Sequence, residues 1–212
     1  MKSYRIPAKR SRVEINVSNS RFIATAAPVF SVDEARDFIQ SIRKEFSDAT
    51  HNVPAFLVGF GHSVTAHCGD DGEPSGTAGK PALAVLQGSG LGDIAVVVTR
   101  YFGGKKLGTG GLVRAYSDAV KKVLESLPLA EKVTTQTLML EIPYTLYEQI
   151  RLIIQEFDGT ILEGNFSDQV TINVRFLLDK VEPFQQRIIN FTRGKHEACI
   201  IETNPNTIIP LQ

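Results

Sequence analysis

The chain has 212 residues, which suits one large domain or two small ones, and its 23 basic and 23 acidic residues cancel. With 42% hydrophobic residues the composition is that of an ordinary globular protein, which excludes disordered, collagen-like and coiled-coil proteins. No apolar run approaches the roughly 18 residues of a membrane span, and the basic N-terminus lacks the apolar run of a secretory signal. The two cysteines are far apart in the chain, which excludes a disulfide framework. We therefore expect a cytoplasmic protein without membrane contact.

The first half of the chain predicts a mixed set of strands and helices. Residues 31–34 (SVDE) have the pattern of a capping box, in which the Glu34 side chain reaches back to the start of a helix. A continuous apolar run at 94–102 predicts a buried strand, and an amphipathic pattern at 109–127 predicts the longest helix. The other predicted elements are strands at 13–17, 21–29 and 53–60, a loop at 61–77 and a short helix at 81–87.

The second half predicts a βαββαβ order, which is the ferredoxin-like plan. Alternating β-branched residues predict a strand at 132–142, and apolar residues at helical spacing from Leu146 to Phe157 predict a helix. The order is completed by strands at 160–166 and 169–178, a helix from Val181 to Phe191 and a last strand at 196–202. The predicted fold class of the whole chain is therefore α+β, with two domains.

Charge and glycine content also divide the chain. Residues 1–128 hold 16 basic and 12 acidic side chains, a net charge of +4, whereas residues 129–212 hold 7 and 11, a net charge of −4. Of the 17 glycines, 14 lie between Gly59 and Gly111, and such crowding marks turns or backbone that approaches a ligand. A helical pattern ends at Pro128, so we place the boundary between domains 1–128 and 129–212 there.

The first segment that carries chemistry is the acidic loop, defined as residues 70–81 (DDGEPSGTAGKP). Three carboxylates within four positions repel one another unless they are solvated, paired with cations or bound to a metal. The interpretations left open are a hard-cation site, an acid–base pair, or a solvated loop whose threonine caps the next helix. The role of the candidate residues Asp70, Asp71, Glu73, Ser75 and Thr77 therefore stays open. The order GKP excludes a Walker A loop, which needs Ser or Thr after the lysine.

The second segment is the basic loop, defined as residues 99–114 (TRYFGGKKLGTGGLVR), in which a strand leads through glycines into a helix. Such a junction leaves backbone amides uncovered at the helix N-terminus, where the helix dipole favours an anion. Arg114, predicted in the first helical turn, opposes that dipole unless an anion lies beside it. Tyr101 and Phe102 offer a stacking face for a base. The predicted phosphate- or nucleic-acid-binding residues are Lys80, Arg100, Tyr101, Lys105, Lys106, Gly108, Thr109, Gly110, Gly111 and Arg114.

An internal ion-pair network is the alternative for these two loops, with Arg100 and the lysines neutralising the acidic loop. No histidine spacing supports a metal site, and we expect neither a metal nor a cofactor. The basic N-terminal residues Lys2, Arg5, Lys9, Arg10 and Arg12 leave two interpretations open, a flexible arm that contacts phosphates and a solvated tail.

The motifs DDGEPSGTAGKP and VVTRYFGG-KK-LGTGGLVRAYSDA together resemble the YigZ/IMPACT family, and so do residues 51–52 (HN) and 20–22 (SRF). The resemblance covers nearly the whole chain. It implies an N-terminal domain like the second domain of ribosomal protein S-five and a C-terminal domain like domain V of elongation factor G. Binding to RNA or the ribosome is implied on that likeness of fold. Eukaryotic members resemble translational regulators that act through a kinase activator, using an extra domain not expected here.

We favour a cytoplasmic protein that binds RNA or the ribosome and modulates translation. The alternatives are an enzyme that acts on a phosphorylated small molecule, with the acidic loop as base or metal site, and a module that docks a protein partner. No catalytic activity is established by the residues or by the resemblance, so we favour a binding protein over an enzyme.

Overall fold

The computed structural model describes residues 3–211, which form two sheets and five α-helices. These residues fall into two compact units, one with Tyr4–Glu131 and residues 210–211, the other with Ser3 and Lys132–Ile209. The predicted α+β class is confirmed. Over the described part of the chain, no helix combines the length and the apolarity that crossing a lipid bilayer requires.

The first half of the chain forms a five-stranded sheet with three helices. Its elements are β1 (Tyr4–Pro7), β2 (Ser11–Val17), β3 (Ser20–Pro28), α1 (Val32–Glu45), β4 (His51–Val58), β5 (Thr65–Cys68), α2 (Gly79–Gly88), β6 (Ile94–Tyr101) and α3 (Gly108–Glu125). The strand order of this sheet is β2-β3-β6-β4-β5, and every pair of neighbours is antiparallel. β1 is not part of it. The sheet therefore ends at β2 on one side and at β5 on the other.

β6 lies at the centre of this sheet and is buried on both faces. Because successive side chains of a strand point to opposite sides, its residues divide between two cores. Val96 and Val98 pack with α2 and α3, whereas Ala95 and Val97 pack with α1. Burial on both faces explains the continuous apolar run that predicted this strand.

The predicted capping box starts α1. The Ser31 hydroxyl accepts a hydrogen bond from the Glu34 amide at 3.1 Å, as the motif requires. The Glu34 carboxylate accepts from the amide of Phe30 at 2.9 Å, one residue before the cap. The helix then buries Ile39 and Ile42 against the sheet, because apolar residues recur at helical spacing on one side of it.

The interpretation of the N-terminus as a flexible arm is wrong for the described residues. β1 is a strand, and its Ile6 is fully buried. Arg10 donates to the Glu45 carboxylate at 2.9 Å, and Arg12 donates to its other oxygen at 2.6 Å. Lys2 lies outside the described residues. These arginines are therefore held by α1 and do not form a free cationic arm.

The segment 61–77, predicted as a loop, contains one further strand. β5 has four residues and pairs with β4 alone, from Ala55 opposite Cys68 to Val58 opposite Thr65. Three of its four residues are exposed, so it lacks the alternation of buried and exposed positions by which a strand is recognised in a sequence.

The second half of the chain has the predicted βαββαβ order. Its elements are β7 (Leu129–Ile142), α4 (Tyr144–Glu156), β8 (Thr160–Phe166), β9 (Val170–Leu177), α5 (Leu178–Thr192) and β10 (Cys199–Pro210). The sheet order is β1-β7-β9-β8, β10 also pairs with β7, and β9 is antiparallel to both of its neighbours. The last strand was predicted at 196–202 but extends to Pro210. The proline at 205 is typical of a turn in a sequence, yet an exposed strand tolerates it.

The cluster of Arg10, Arg12 and Glu45 predicts a pH-dependent contribution to stability. The hydrogen bond from Arg12 is the main cause that lowers the pKa of Glu45 from 4.5 to about 2, against a smaller opposing effect of burial. Because the pKa is lower in the folded state, the stabilisation is complete above about pH 4.5 and is lost as the pH falls toward about 2.

We expect Glu45→Gln to remove this dependence. Between about pH 6 and pH 2.5 the wild type should lose about 1 kcal/mol more of its unfolding free energy than the variant, a modest value because Glu45 is 40% exposed. Urea unfolding across that pH range measures the difference. Glu14→Gln, which changes an exposed carboxylate on β2, is the control, and equal acid sensitivity of the wild type and Glu45→Gln would contradict the prediction.

Candidate functional site

The junction between β6 and α3 leaves the start of the longest helix without a side-chain cap. Leu107 occupies the N-cap position and makes no side-chain hydrogen bond to the helix. The first four amides of any helix have no partner inside the helix, and the dipole places partial positive charge there. Gly108, Thr109 and Gly110, which open the helix, are exposed. The first amides of α3 therefore receive no side-chain acceptor from the N-cap residue.

A cleft of about 320 Å³ lies beside this helix start, and the acidic loop and the basic loop meet in it. Its lining is apolar and basic, with one carboxylate. The lining residues are Glu73, Pro74, Arg100, Phe102, Lys106, Leu107, Gly108, Thr109 and Leu112.

A buried ion pair forms part of this lining. Arg100 Nη1 lies 2.6 Å from Glu73 Oε1, and the two side chains are only 6% and 3% exposed. The hydroxyl of Tyr116, a fully buried residue of α3, donates to the same oxygen at 2.8 Å. Burial of the ring raises the pKa of Tyr116, and the hydrogen bond to the Glu73 carboxylate raises it further. The tyrosine is therefore a permanent donor to the pair.

Further contacts fix the guanidinium of Arg100. Its Nη2 donates to the hydroxyl of Ser20, a fully buried residue, at 3.3 Å. The guanidinium carbon lies 5.3 Å from the ring centre of Phe22 and 5.5 Å from that of Phe102, within cation–π range. Its Nε is buried and has no hydrogen-bond partner among the described residues. A buried donor without a partner is costly, which sets this atom apart from the other nitrogens of the guanidinium.

Asp70 of the acidic loop caps α2. Its carboxylate accepts from the amides of Gly76 at 2.7 Å, Gly79 at 2.8 Å and Ala78 at 3.1 Å. Partial burial acts to raise the pKa of Asp70, but these amides together with the charge of Lys80 outweigh it, so the pKa lies below its usual value. The anion at the start of α2 is therefore supplied by the protein itself.

The other acidic-loop residues also have separate roles. Asp71 pairs with Arg43 of α1 at 2.7 Å and accepts from the backbone amide of Asn52 at 2.7 Å. The Thr77 hydroxyl donates to a backbone carbonyl inside the loop. The residue after it occupies the N-cap position of α2 and makes no side-chain hydrogen bond to the helix. The interpretation of Thr77 as the cap of α2 is therefore wrong. Ser75 is exposed. In residues 3–211 no three His, Cys, Asp or Glu side chains cluster as ligands of a metal ion would.

The ten predicted binding residues do not all reach the cleft. Four of them line it: Arg100, Lys106, Gly108 and Thr109. Lys105, Gly110 and Gly111 are neighbours of these four in the chain but are not part of the lining.

The remaining three lie elsewhere. Tyr101 follows Arg100 in β6 and points to the opposite face of the sheet, where its hydroxyl donates to Asp48 at 2.7 Å and Arg21 covers its ring. Lys80 lies at the start of α2. Arg114 is exposed and is the seventh residue of α3, so its prediction in the first turn is wrong and its conflict with the dipole is weaker than expected.

Two glycines of the basic loop differ in the space around them. A Cβ at Gly103 would overlap the backbone of Asn19 in the turn between β2 and β3, so this glycine allows two backbone segments to approach. A Cβ at Gly110 would meet no atom within 4 Å. Glycine inside a helix costs about 1 kcal/mol relative to alanine, and nothing in the fold requires it at this position. A ligand that approaches the backbone of the helix start would require it.

Residues outside the two loops complete the site. Ser20 and Phe22 contact Arg100, and the His51 ring lies 3.8 Å from the Glu73 carboxylate. These residues carry no signal of their own in the sequence, and only the resemblance at 20–22 and 51–52 points to them. Tyr116 lies on the buried side of the amphipathic helix predicted at 109–127, but that pattern gives no indication of its hydrogen bond to Glu73.

Comparisons with known proteins show the family to which the chain is related. A family model described as the Impact N-terminal domain matches residues 18–124, and one described as a domain of unknown function (DUF1949) matches residues 140–195. Over 203 residues the chain is 38% identical to the IMPACT family member YigZ of Escherichia coli (strain K12), covering 95% of this chain and 100% of that protein.

Two further matches extend over most of the chain. The IMPACT family member YvyE of Bacillus subtilis (strain 168) is 36% identical over 184 residues, which is 87% of this chain and 84% of that protein. The crystal structure of a hypothetical protein superposes with a TM-score of 0.62 at 37% sequence identity, covering 95% of this chain and 98% of the other. The chain belongs to the IMPACT family.

The buried ion pair predicts a large effect of a conservative substitution. Glu73→Gln keeps the volume and an acceptor for Tyr116 but leaves the buried charge of Arg100 without its partner, so we expect a loss of about 3–5 kcal/mol in unfolding free energy. Urea unfolding at neutral pH measures it. Glu125→Gln, which removes an exposed pair with Lys122, should change stability by less than about 0.5 kcal/mol. A loss as small for Glu73→Gln as for this control would show that the pair is not structural.

Proposed function

We propose that the chain binds a phosphate-bearing ligand in the cleft beside α3, and that this ligand is RNA. The observation that carries the proposal is the uncapped start of α3, which opens onto a cleft lined by Lys106 and by the buried guanidinium of Arg100. Phosphate groups bind where helix amides and cationic side chains converge. Both kinds of donor meet here within one opening.

The electrostatics of the cleft favour an anion at its rim. Glu73 compensates the charge of Arg100, so the inner wall of the cleft is close to neutral. Lys105 and Lys106 are exposed, and no carboxylate lies within ion-pair distance of either among the described residues. The uncompensated positive charge therefore lies on the lysines and the helix amides, which suits a phosphate at the rim rather than a carboxylate buried inside.

The size and the walls of the cleft favour a nucleotide over inorganic phosphate. A volume of about 320 Å³ is at the lower end of the range of small-molecule sites. Phe102 lines it and is 46% exposed, so one face of its ring is available to a base. Stacking of a base on an aromatic ring contributes about 1–3 kcal/mol in single-stranded complexes. A single-stranded segment of RNA, free or within the ribosome, provides both groups.

A role in translation is the biological context that we propose for this binding. It rests on the resemblance to eukaryotic members of the family and on RNA as the ligand, and it implies action in the cytoplasm. An enzyme acting on a phosphorylated small molecule is the weaker candidate. Its base would have to come from Glu73, which is buried and already engaged by Arg100 and Tyr116.

Salt dependence tests the RNA proposal. The logarithm of the affinity for a single-stranded oligouridylate of about ten nucleotides should fall linearly with the logarithm of salt concentration, and Lys106→Ala should reduce the slope by about 0.7. Lys121→Ala, on an exposed part of α3 outside the cleft, is the matched control and should leave the slope unchanged. Fluorescence anisotropy measures the affinity. A flat salt response in the wild type and the variant would contradict the proposal.

Gly110→Ala separates binding from stability. The new methyl group has free space, so the helix should gain about 0.5–1 kcal/mol of stability, while oligouridylate affinity should fall because the methyl group blocks approach to the helix backbone. Gly88→Ala is the matched control, since its Cβ also has free space but it lies at the C-terminal end of α2 and not at the start of α3. It should raise stability without changing affinity. Equal affinity of both variants would show that the ligand does not approach α3 closely.

A further inference from the structure

A second concave surface lies on the other face of the same sheet, between α1 and β5, and we name it the α1–β5 groove. It has a volume of about 380 Å³. One wall is a single stripe of α1, in which Val32, Arg36, Ile39 and Arg43 follow one another at intervals of three or four residues. The floor comes from β4, chiefly from Phe56.

The other wall of the groove is an unpaired strand edge. β5 is the last strand of the sheet and pairs with β4 on one side only. The amide of Gly69 donates to the carbonyl of Pro54 at 3.1 Å. Hydrogen-bonded pairs alternate along an antiparallel ladder, so the backbone groups of Ala66 and Cys68, two alternate residues, point away from β4. They form a row of donors and acceptors along the groove that is ready to pair with another strand.

The charges of the groove have one sign. Arg36 and Arg43 are the charged side chains of its lining, to which no carboxylate of residues 3–211 belongs. Within residues 3–211 the ion pair of Arg36 is with the exposed Asp33, one turn away on the same helix, at 3.2 Å. Arg43 pairs with Asp71 through one nitrogen, while its Nε is buried and has no hydrogen-bond partner among the described residues.

We propose that the α1–β5 groove binds an extended acidic segment of a partner protein, which adds as a sixth strand to β5. The unpaired edge supplies main-chain hydrogen bonds, and alternate side chains of the added strand point into the groove, as in other cases of strand addition. Acidic residues at those alternate positions meet Arg36 and Arg43, while the residues between them point to the other face of the added strand, away from the groove.

The groove sets the length of the segment. The stripe from Val32 to Arg43 spans eleven residue steps, which is roughly 16 Å along a helix. An extended chain covers that distance in about five residues. The partner segment is therefore short, and side chains on only one of its faces enter the groove. This surface is on the face of the sheet opposite α3, so its occupant does not compete with a ligand of the cleft.

The test uses a fluorescein-labelled peptide of about seven residues in which glutamate alternates with valine, measured by anisotropy against the full chain. Arg36→Glu should weaken binding by about ten-fold or more, because it places a like charge against the peptide. Lys44→Glu, the same charge change at an exposed α1 position outside the groove, should leave the affinity within about two-fold. The same peptide with lysine in place of glutamate should not bind.

Strand addition makes three further predictions. Hydrogen exchange at the amides of Ala66 and Cys68 should slow when the peptide is bound. Of two peptides N-methylated on alternate residues, one should lose binding and the other should keep it, because only every second amide faces β5. Ala66→Pro should also abolish binding while the sheet stays intact, since a proline is tolerated where the amide faces outward at an edge.

Several outcomes would overturn the proposal. Equal binding of the acidic and the lysine peptide, equal affinity of Arg36→Glu and the wild type, or binding of both N-methylated peptides would each do so. An oligouridylate that loses affinity on Arg36→Glu, with no binding of the acidic peptide, would assign the groove to nucleic acid instead. If Ala66→Pro fails to fold, which circular dichroism detects, the N-methylated peptides still decide the question.

Discussion

The ion pair between Glu73 and Arg100 is the interaction on which the arrangement of the first unit depends. Two charges buried to this degree lose their hydration, a loss of several kcal/mol per ion that their attraction offsets only when the geometry and the surrounding hydrogen bonds are good. Tyr116 and Ser20 supply those hydrogen bonds, one from α3 and one from β3. The pair therefore links the acidic loop to the central strand, to a second strand and to the longest helix.

Each carboxylate of the acidic loop has a different task because each meets a different part of the fold. Asp70 satisfies the amides at the start of α2, Asp71 ties the loop to α1 through Arg43, and Glu73 is drawn into the core. This separation relieves the repulsion that three neighbouring carboxylates would otherwise suffer. It also explains a contrast between the two helix starts. α2 is neutralised from within, whereas α3 has no side-chain cap and opens onto the cleft.

Both proposed surfaces use the same central sheet from opposite sides. The cleft lies on the side of α3, and the α1–β5 groove lies on the side of α1. β6 lies between them, and its residues Arg100 and Tyr101 point to opposite faces of the sheet. A protein with this layout has room for a phosphate-bearing ligand and an acidic protein segment at the same time. Such a combination suits a factor that connects RNA with a protein partner.

The sequence by itself determined most of the local structure. Apolar periodicity defined β6, α3 and the βαββαβ order, since side chains buried on one or both faces leave a pattern in the chain. The capping box of α1 was readable because its contacts are local. The anion site at the start of α3 also rests on a local pattern, and it stays a prediction. Short or exposed elements were missed, namely β1, β5 and the end of β10, because they leave little apolar pattern.

Only the tertiary structure decided which charges meet. The sequence left Arg100 between an anion site and an ion-pair network, and the fold gives it Glu73 as partner while leaving Lys106 at the rim of the cleft. It also separates Tyr101 from Arg100, although they are adjacent in the chain. The partner of a charged side chain depends on which strands and helices come together in the fold. Those elements are tens of positions apart in the chain, so a local sequence pattern cannot predict the pairing.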